Sequence, residues 1–358
     1  MRPKRILFYA KCPMNFVLFE PVFERLAART DLEFHFTGKY QGQKDPALVY
    51  QSFDLRGGRL VRNSSARLRG YDVYVSPDFR LAGRRSKVKV HMFHGFSIRN
   101  FAISERVHRF DRLFLIGPYM KRRFVEAGLL SETDPRIEEV GMPKLDGLAL
   151  GRYQRAAVLE RLALDPARPT VLFAPTWISG GCLEAQGLEI LRELRELDVN
   201  TIVKLHDNSY DPRKGQIDWA RELPPRLGEC QRLVRDFNSN PYLAASDVLI
   251  SDASSVANEY LVLDRPLIFF RLDRLEEDWP ATDRGGWGTR TGDTIERARE
   301  LRDAVPAALT NPGRLSPLRR EAAADFFYAP GQAARRAADR LLSYAGLEEA
   351  GANEPDPI

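Results

Sequence analysis

The chain of 358 residues lacks several features that would assign it to a class at once. No run approaches the ~18 apolar residues of a membrane-spanning helix. The apolar stretch at the N-terminus is too short for a secretory signal and has no small-residue cleavage site. The cysteines are odd in number and far apart, at Cys12, Cys182 and Cys230, which argues against a disulfide framework. We therefore expect a globular protein of the reducing cytoplasm.

Common signatures of cofactor and metal sites are also missing. There is no GxGxxG after a strand, no GxxxxGK[ST], no CxxC and no HExxH, so the sequence predicts neither a cofactor nor a metal. It also has no GxSxG elbow, which disfavours an α/β-hydrolase. These absences favour a transferase with phosphate chemistry in a cleft.

The charge is unevenly distributed along the chain. The net charge is +5, but residues 1–150 carry 27 Lys and Arg against 16 Asp and Glu, whereas the remainder carries 27 against 33. Such asymmetry indicates an anionic partner for the first half, which can be a phosphate-bearing substrate, a membrane surface or nucleic acid. A solvated basic face is the alternative.

Short β-rich runs alternate with amphipathic helical segments throughout. Strands are predicted at 5–10, 32–38, 71–77, 87–94, 112–117 and 137–144, and again at 170–176, 200–207, 232–236, 247–252 and 266–270. This alternation is typical of parallel sheets. We predict two Rossmann-like domains facing a cleft, a basic acceptor domain at 1–148 and a nucleotide-donor domain at 149–346. C-terminal helices that cross back to the first domain and a mobile acidic tail at 347–358 complete the prediction.

Polar residues follow four of these strands, where ligands bind in open α/β sheets. The residues are His94 and Gly95, then Thr176, then Lys204 and His206, and finally Asp252, Ser254 and Ser255. A histidine at such a position can remove a proton from a hydroxyl, and the alternative is a structural histidine in a turn. For the segment SDASS (251–255), the alternatives are a helix cap and a phosphate-binding site. Both can hold together, with the serines capping the helix and its free amides binding phosphate.

Six ordered segments resemble the CDP-glycerol glycerophosphotransferase family, which contains teichoic-acid primases and polymerases with a GT-B fold. They are FHGFS (93–97), GMPKLD (141–146), LFAPTW (172–177), KLHD (204–207), DVLISDASSVANEYLVLDRPLIFF (247–270) and FFYAPGQAARRAADRL (326–341). The chain departs from the family pattern at Ala253, where the family has an aromatic residue, and in HGFSIRN, where Arg99 stands in for a lysine. These departures weaken any assignment to glycerol specifically.

The resemblance implies a role for each site residue. His94 is expected to be the general base on the acceptor hydroxyl, while His206, Ser254 and Ser255 hold the donor pyrophosphate. We group Asp252 and Thr176 with the phosphate-binding residues. Gly95, Lys204 and Glu259 are further candidates for donor or ribose contacts, although a solvated helix carboxylate is an equal alternative for Glu259.

The expected reaction is transfer of an alditol phosphate, glycerol phosphate first, from a CDP-activated donor to a lipid-linked or polymeric glycan acceptor, with release of CMP. The expected partners are this donor, this acceptor and the anionic inner face of the bacterial cell membrane, without nucleic acid. One alternative is a GT-B glycosyltransferase or 2-epimerase-like enzyme that uses a UDP-sugar. The other is a non-catalytic protein that binds anionic surfaces or nucleic acid, with Tyr71, Tyr74 and Phe79 as weak candidates for base stacking.

Overall fold

The computed structural model describes residues 2–40, 42–95, 103–211, 214, 217–252, 254–271 and 287–348. The chain divides into two compact units. The first contains the N-terminal part as far as Asp146 together with the segment that begins at Ala324. The second contains the residues from Gly147 to Ala323.

The first unit contains a parallel sheet with the strand order β3-β2-β1-β4-β5-β6-β7. Its strands are β1 (Lys4–Ala10), β2 (Leu32–Gly38), β3 (Arg59–Leu60), β4 (Gly70–Ser76), β5 (Arg85–Met92), β6 (Arg112–Leu115) and β7 (Ile137–Glu139). The helices between them are α1 (Pro13–Leu26), α2 (Ala47–Tyr50), α3 (Asn63–Leu68) and α4 (Pro118–Glu126). The central strands are apolar on both faces, as expected for a parallel sheet covered by helices.

Aromatic side chains fill the layer between this sheet and helix α1. Phe16 of the helix packs edge-on against Phe36 of β2 and Tyr50, with ring centroids 5.6 and 5.3 Å apart. Phe8 of β1 stacks on Phe36 at 5.6 Å. Each ring is fully buried, and such burial is the main favourable term that holds a helix to a sheet.

The second unit repeats this architecture with the order β10-β9-β8-β11-β12-β13, again with parallel neighbours. Its strands are β8 (Thr170–Phe173), β9 (Asn200–Lys204), β10 (Gln231–Val234), β11 (Val248–Ser251), β12 (Leu267–Phe270) and β13 (Asp293–Ile295). The helices, from the junction onward, are α5 (Asp146–Ala149), α6 (Arg155–Arg161), α7 (Cys182–Arg195), α8 (Trp219–Glu222), α9 (Asn240–Ala245), α10 (Ser255–Tyr260), α11 (Leu301–Thr310) and α12 (Ser316–Phe326).

The strand pattern confirms the prediction of two parallel α/β units. Every strand predicted from the sequence is present, although most end a few residues earlier than expected. The two short edge strands β3 and β13 were not predicted. They have two and three residues, too few for an apolar run to stand out from the loops around them.

The last helix, α13 (Ala333–Ala345), packs on α1 and belongs to the first unit, so the predicted second domain of 149–346 ends too late. The reason is a long-range cap. Asp146 accepts hydrogen bonds from the amides of Gly331 (2.8 Å), Ala333 (3.1 Å) and Ala334 (2.7 Å) at the start of the helix. Its carboxylate therefore satisfies amides that a helix leaves unpaired at its N-terminus.

Gly141 allows the segment that leads to α13 to approach closely. Its φ of +97° lies in the left-handed region, and a Cβ built on it would lie 2.5 Å from the Tyr328 carbonyl oxygen. A side chain at this position would push the returning segment away. The GMPKLD segment thus supplies both the close approach, through its glycine, and the cap, through its aspartate.

The exchange Asp146→Asn should lower the free energy of unfolding by about 1–3 kcal/mol, because an amide offers a single acceptor oxygen to three buried donors. Chemical denaturation followed by circular dichroism measures the change. The control is Glu132→Gln, which removes one carboxylate charge at an exposed site of the same unit. Equal unfolding curves for the two variants would contradict the assigned role.

Candidate active-site residues

His94 lies just beyond the carboxyl end of β5, where its imidazole is held by one backbone contact. Its Nδ1 is 3.0 Å from the carbonyl oxygen of Pro77, in the loop after the neighbouring strand β4. A carbonyl can only accept, so Nδ1 carries the proton in the neutral ring. Nε2 therefore holds a lone pair, as a general base requires.

The surroundings of His94 favour this neutral form. The side chain of His94 is exposed, yet the protein packed around the ring reduces its hydration, and this lowers the pKa of His94 from its usual 6.5. The hydrogen bond to Pro77 and the charge of Asp78 oppose the lowering, while Lys144 and Lys11 add to it. Lys11 itself forms an ion pair with Asp78 at 3.5 Å.

Gly95 leaves open space beside this histidine. A Cβ built on Gly95 would have no atom within 4 Å. A ligand could therefore approach the backbone closely at this point. Ser97, Arg99 and Ala253, which the sequence motifs also include, lie outside the described residues.

In the second unit, Asp252 ties the end of β11 to the loop between β8 and α7. Its two carboxylate oxygens accept from the backbone amides of Thr176 (2.7 Å) and Cys182 (3.0 Å). Asp252 is only 4% exposed, and this burial raises the pKa of its carboxyl, against the effect of the two amides. Gly181 allows the tight loop, since a Cβ there would lie 2.8 Å from the Thr176 side chain.

His206 follows β9 and has the opposite hydrogen-bond pattern to His94. Its Nδ1 accepts from the backbone amide of Asn208 at 3.0 Å. A backbone amide can only donate, so the proton of the neutral ring is on Nε2. His206 therefore presents an N–H donor, which suits a phosphate oxygen.

A cavity of about 330 Å³ opens beside these loops. Its lining includes Thr176 and Trp177 after β8, and Asn208 and Lys214 after β9. Trp177 is 39% exposed, with its ring centroid 5.8 Å from that of His206. An exposed aromatic face beside a cation and a histidine is suited to a ligand with both a planar and an anionic part.

The serines after β11 differ from the prediction in one respect. Ser254 occupies the N-cap position of α10, but its side chain makes no capping hydrogen bond, so the predicted serine cap is wrong. Ser254 and Ser255 are both half-buried. The Ser254 hydroxyl is therefore not used as a helix cap.

The remaining candidates are placed as follows. Glu259 is 5% exposed, so the alternative of a solvated helix carboxylate is wrong. Lys204 donates to the Leu205 carbonyl oxygen at 2.9 Å. Arg265 donates to the carbonyls of Ala244 and Ser246 at 2.7 and 2.6 Å and so supports the fold.

Several residues at these strand ends were not singled out from the sequence. Asp78 and Lys11 stand beside His94, while Lys214 lines the cavity of the second unit. Two of the three could be found by the same strand-end rule, because Lys11 and Asp78 each come shortly after a predicted strand. Lys214 lies in a loop, where the sequence holds no comparable signal.

Two further observations concern the described residues as a whole. They contain no group of three or more His, Cys, Asp or Glu side chains close enough to hold a metal ion. No helix among them has the length and apolar character needed to cross a bilayer.

Comparison with solved structures finds proteins with the same fold. The solved wall teichoic acid polymerase TagF superposes with a TM-score of 0.68 at 17% identity, over 97% of this chain and 89% of that one. The UDP-GlcNAc 2-epimerase from Neisseria meningitidis, bound to UDP-GlcNAc, gives a TM-score of 0.61 at 12% identity, over 95% and 100%. At these identities the likeness bears on the fold alone, and it confirms the predicted GT-B fold.

Sequence comparison is more specific. A teichoic acid poly(ribitol-phosphate) polymerase from Bacillus spizizenii is 30% identical over 145 residues, which are 37% of this chain and 22% of that protein. The chain thus matches about a fifth of the length of that relative. The family model for CDP-glycerol:poly(glycerophosphate) glycerophosphotransferase matches residues 77–340, most of the chain. The protein belongs to the CDP-glycerol:poly(glycerophosphate) glycerophosphotransferase family.

Proposed function

We propose that the protein transfers glycerol phosphate from CDP-glycerol to a hydroxyl group of a polymeric or lipid-linked acceptor and releases CMP. The observation that carries this proposal is the complementary protonation of two histidines at strand ends. His94 has a free lone pair on Nε2, and His206 has a proton on Nε2. Family membership supplies the donor class.

In the proposed reaction, Nε2 of His94 removes the proton from the acceptor hydroxyl. The oxygen attacks the phosphorus that carries glycerol, and the bond from that phosphorus to the bridging oxygen of CMP breaks. The electron pair of this bond leaves with CMP. Because phosphoryl transfer depends mainly on positioning and charge stabilisation, few groups need to react covalently.

His206 and the residues around it are proposed to hold the donor phosphates. The Nε2–H of His206 donates to a phosphate oxygen, and Ser254 and Ser255 supply hydroxyls at the start of α10. Asp252 has both oxygens occupied by amides, so we give it the role of positioning the Thr176 loop rather than of contacting phosphate.

The other candidates have secondary roles in the proposal. Gly95 leaves room for the acceptor beside His94, and Lys204 adds positive charge at the end of β9. Glu259, near the end of α10, is buried, and we give it a structural role in the helix that follows Ser254. We further propose that the protein works at the inner face of the bacterial cell membrane, held there peripherally by its basic half.

The donor is tested by thermal shift with CDP-glycerol, CDP-ribitol, CMP and UDP-GlcNAc. CDP-glycerol should stabilise the protein, and the double variant S254A/S255A should lose most of this stabilisation because two phosphate contacts are gone. The control double variant S131A/S343A removes two exposed serine hydroxyls elsewhere. Stabilisation by UDP-GlcNAc alone would instead support the UDP-sugar enzymes.

The two histidines should respond differently to glutamine. Glutamine has no basic nitrogen, so His94→Gln and His94→Ala should both lower kcat by about 10²–10⁴. Glutamine does offer an N–H donor, so His206→Gln should retain more activity than His206→Ala, which should lose about 10²-fold or more.

Steady-state kinetics with CDP-glycerol measures these effects, and His108→Ala, an exposed histidine of the first unit, is the control. If His94→Gln keeps the activity of the wild type, His94 is not the general base. If His206→Gln and His206→Ala lose activity equally, His206 does not act as a hydrogen-bond donor.

The pH dependence follows from the lowered pKa of His94. A base with a lowered pKa stays deprotonated, and hence active, to lower pH than an ordinary histidine. The acidic limb of kcat/KM should therefore have its midpoint below 6.5, the usual value. A midpoint above 6.5, or an unchanged limb in the residual activity of His94→Ala, would show that another group is titrating.

A further inference from the structure

The first unit contains a second concavity, separate from His94, with a strongly basic lining. It has a volume of about 610 Å³. Five cationic side chains line it, and they are Lys39, Lys44, Arg62, Arg67 and Arg80. We call this feature the basic pocket.

The basic pocket has an excess of positive charge, with five cationic side chains and one carboxylate in its lining. Among the described residues, none of the five cations forms an ion pair with a carboxylate. The single acidic residue in the lining, Asp45, instead accepts from the backbone amide of Ala47 at 3.0 Å. Like charges gathered in a concave site raise the local concentration of anions.

One wall of the pocket is held in place. Asn63 accepts from the Thr37 hydroxyl at 3.1 Å and donates to the Gly38 carbonyl oxygen at 2.9 Å, which fixes the start of α3 to the end of β2. The flanking Arg62 and Arg67 are exposed. The pocket therefore combines a fixed frame with long, adaptable cationic side chains.

The pocket lies on the same edge of the sheet as His94. Its residues follow the carboxyl ends of β2, β3 and β4, and His94 follows that of β5. A single loop after β4 joins the two features, because Pro77 binds the His94 ring and Arg80 lines the pocket. Between them, Asp78 accepts from the backbone amide of Arg80 at 3.1 Å.

We propose that the basic pocket binds phosphodiester groups of the acceptor chain and so presents its terminal hydroxyl to His94. This inference rests on the proposed function, and it names the residues of this chain that would hold an acceptor already carrying phosphate. Guanidinium and ammonium groups suit phosphate oxygens, and several of them can engage successive phosphates of one chain.

An anionic membrane is the competing occupant, because Leu60 and Leu68 are exposed near the pocket, at 44% and 69%. The shape of the site favours the acceptor chain. Lipid headgroups are presented in a plane, whereas a flexible phosphodiester chain can enter a concavity. Arg80, on the loop after β4, is half-buried, which limits its contact with a bilayer surface.

The test compares two double variants of the full chain, each with two fewer positive charges. R62A/R67A changes the pocket, and R106A/R109A changes two exposed arginines of the first unit outside it. Calorimetry measures binding of a short soluble oligo(glycerol phosphate), with uncharged oligoglycerol as the negative probe. Kinetics with the same oligomer and CDP-glycerol gives kcat and the KM for each substrate.

We expect R62A/R67A to weaken oligomer binding, and to raise the acceptor KM, by about tenfold or more, since each lost charged hydrogen bond contributes at this level. Binding should weaken further with salt. The KM for CDP-glycerol and the kcat at saturating acceptor should stay within about twofold, and R106A/R109A should resemble the wild type.

Equal oligomer binding by the two double variants would overturn the inference even if glycerol phosphate transfer is observed. Absence of transfer would overturn the proposed function, while calorimetry would still show whether the pocket binds the oligomer.

A further measurement tests binding to vesicles that contain phosphatidylglycerol. If R62A/R67A loses vesicle binding but keeps oligomer binding, the pocket is a headgroup site and the acceptor assignment is wrong.

Discussion

The second unit depends on one buried carboxylate. Asp252 stands at the end of β11 and accepts from amides at both ends of the loop after β8, at Thr176 and Cys182. The charge is removed from water, so its stabilisation comes from two charge-assisted hydrogen bonds that water would otherwise supply. Because the loop cannot move without breaking one of them, Trp177 and the start of α7 are held in register with the residues that follow β11. The acidic residue in SDASS thus organises the site, and the serines beyond it remain available to a ligand.

Backbone groups determine what each histidine can do. The ring of His94 meets a carbonyl at Nδ1, and the ring of His206 meets an amide at the same atom, so one leaves a lone pair on Nε2 and the other leaves a proton there. No charged partner is required for this choice, since the tautomer follows from whether the neighbour accepts or donates. The protein packed around the ring then favours the neutral form of His94 by lowering its pKa. Two residues of one type thereby become a base and a hydrogen-bond donor.

Most of the strands and both histidines could be predicted from the sequence. The features that could not be predicted are two short strands and contacts for which the sequence has no pattern. Eleven strands could be located from the sequence because each contains enough buried side chains to form a recognisable apolar run. Strands β3 and β13 are too short to form one. The rule that ligands bind at strand ends identified His94 and His206. It could not reveal their tautomers, which depend on Pro77 and Asn208 in neighbouring loops. Nor could it reveal that Asp146 caps a helix that begins more than 180 residues later, since that contact has no local signal.

The excess of positive charge in the first half indicates a binding site only when the cations that form ion pairs are excluded. Many of its cations have carboxylate partners, such as Arg136 with Asp134 and Lys87 with Asp72, and ion pairs of this kind produce little external field. Among the described residues, the cations of the basic pocket form no such ion pairs and surround one concavity, whereas a merely solvated basic face would leave them dispersed. Stacking of nucleic acid bases is disfavoured by the same structure, because Tyr71 and Tyr74 are buried. A polyanion without planar groups, held by its phosphates alone, is the ligand that this distribution of charge and aromatic surface fits.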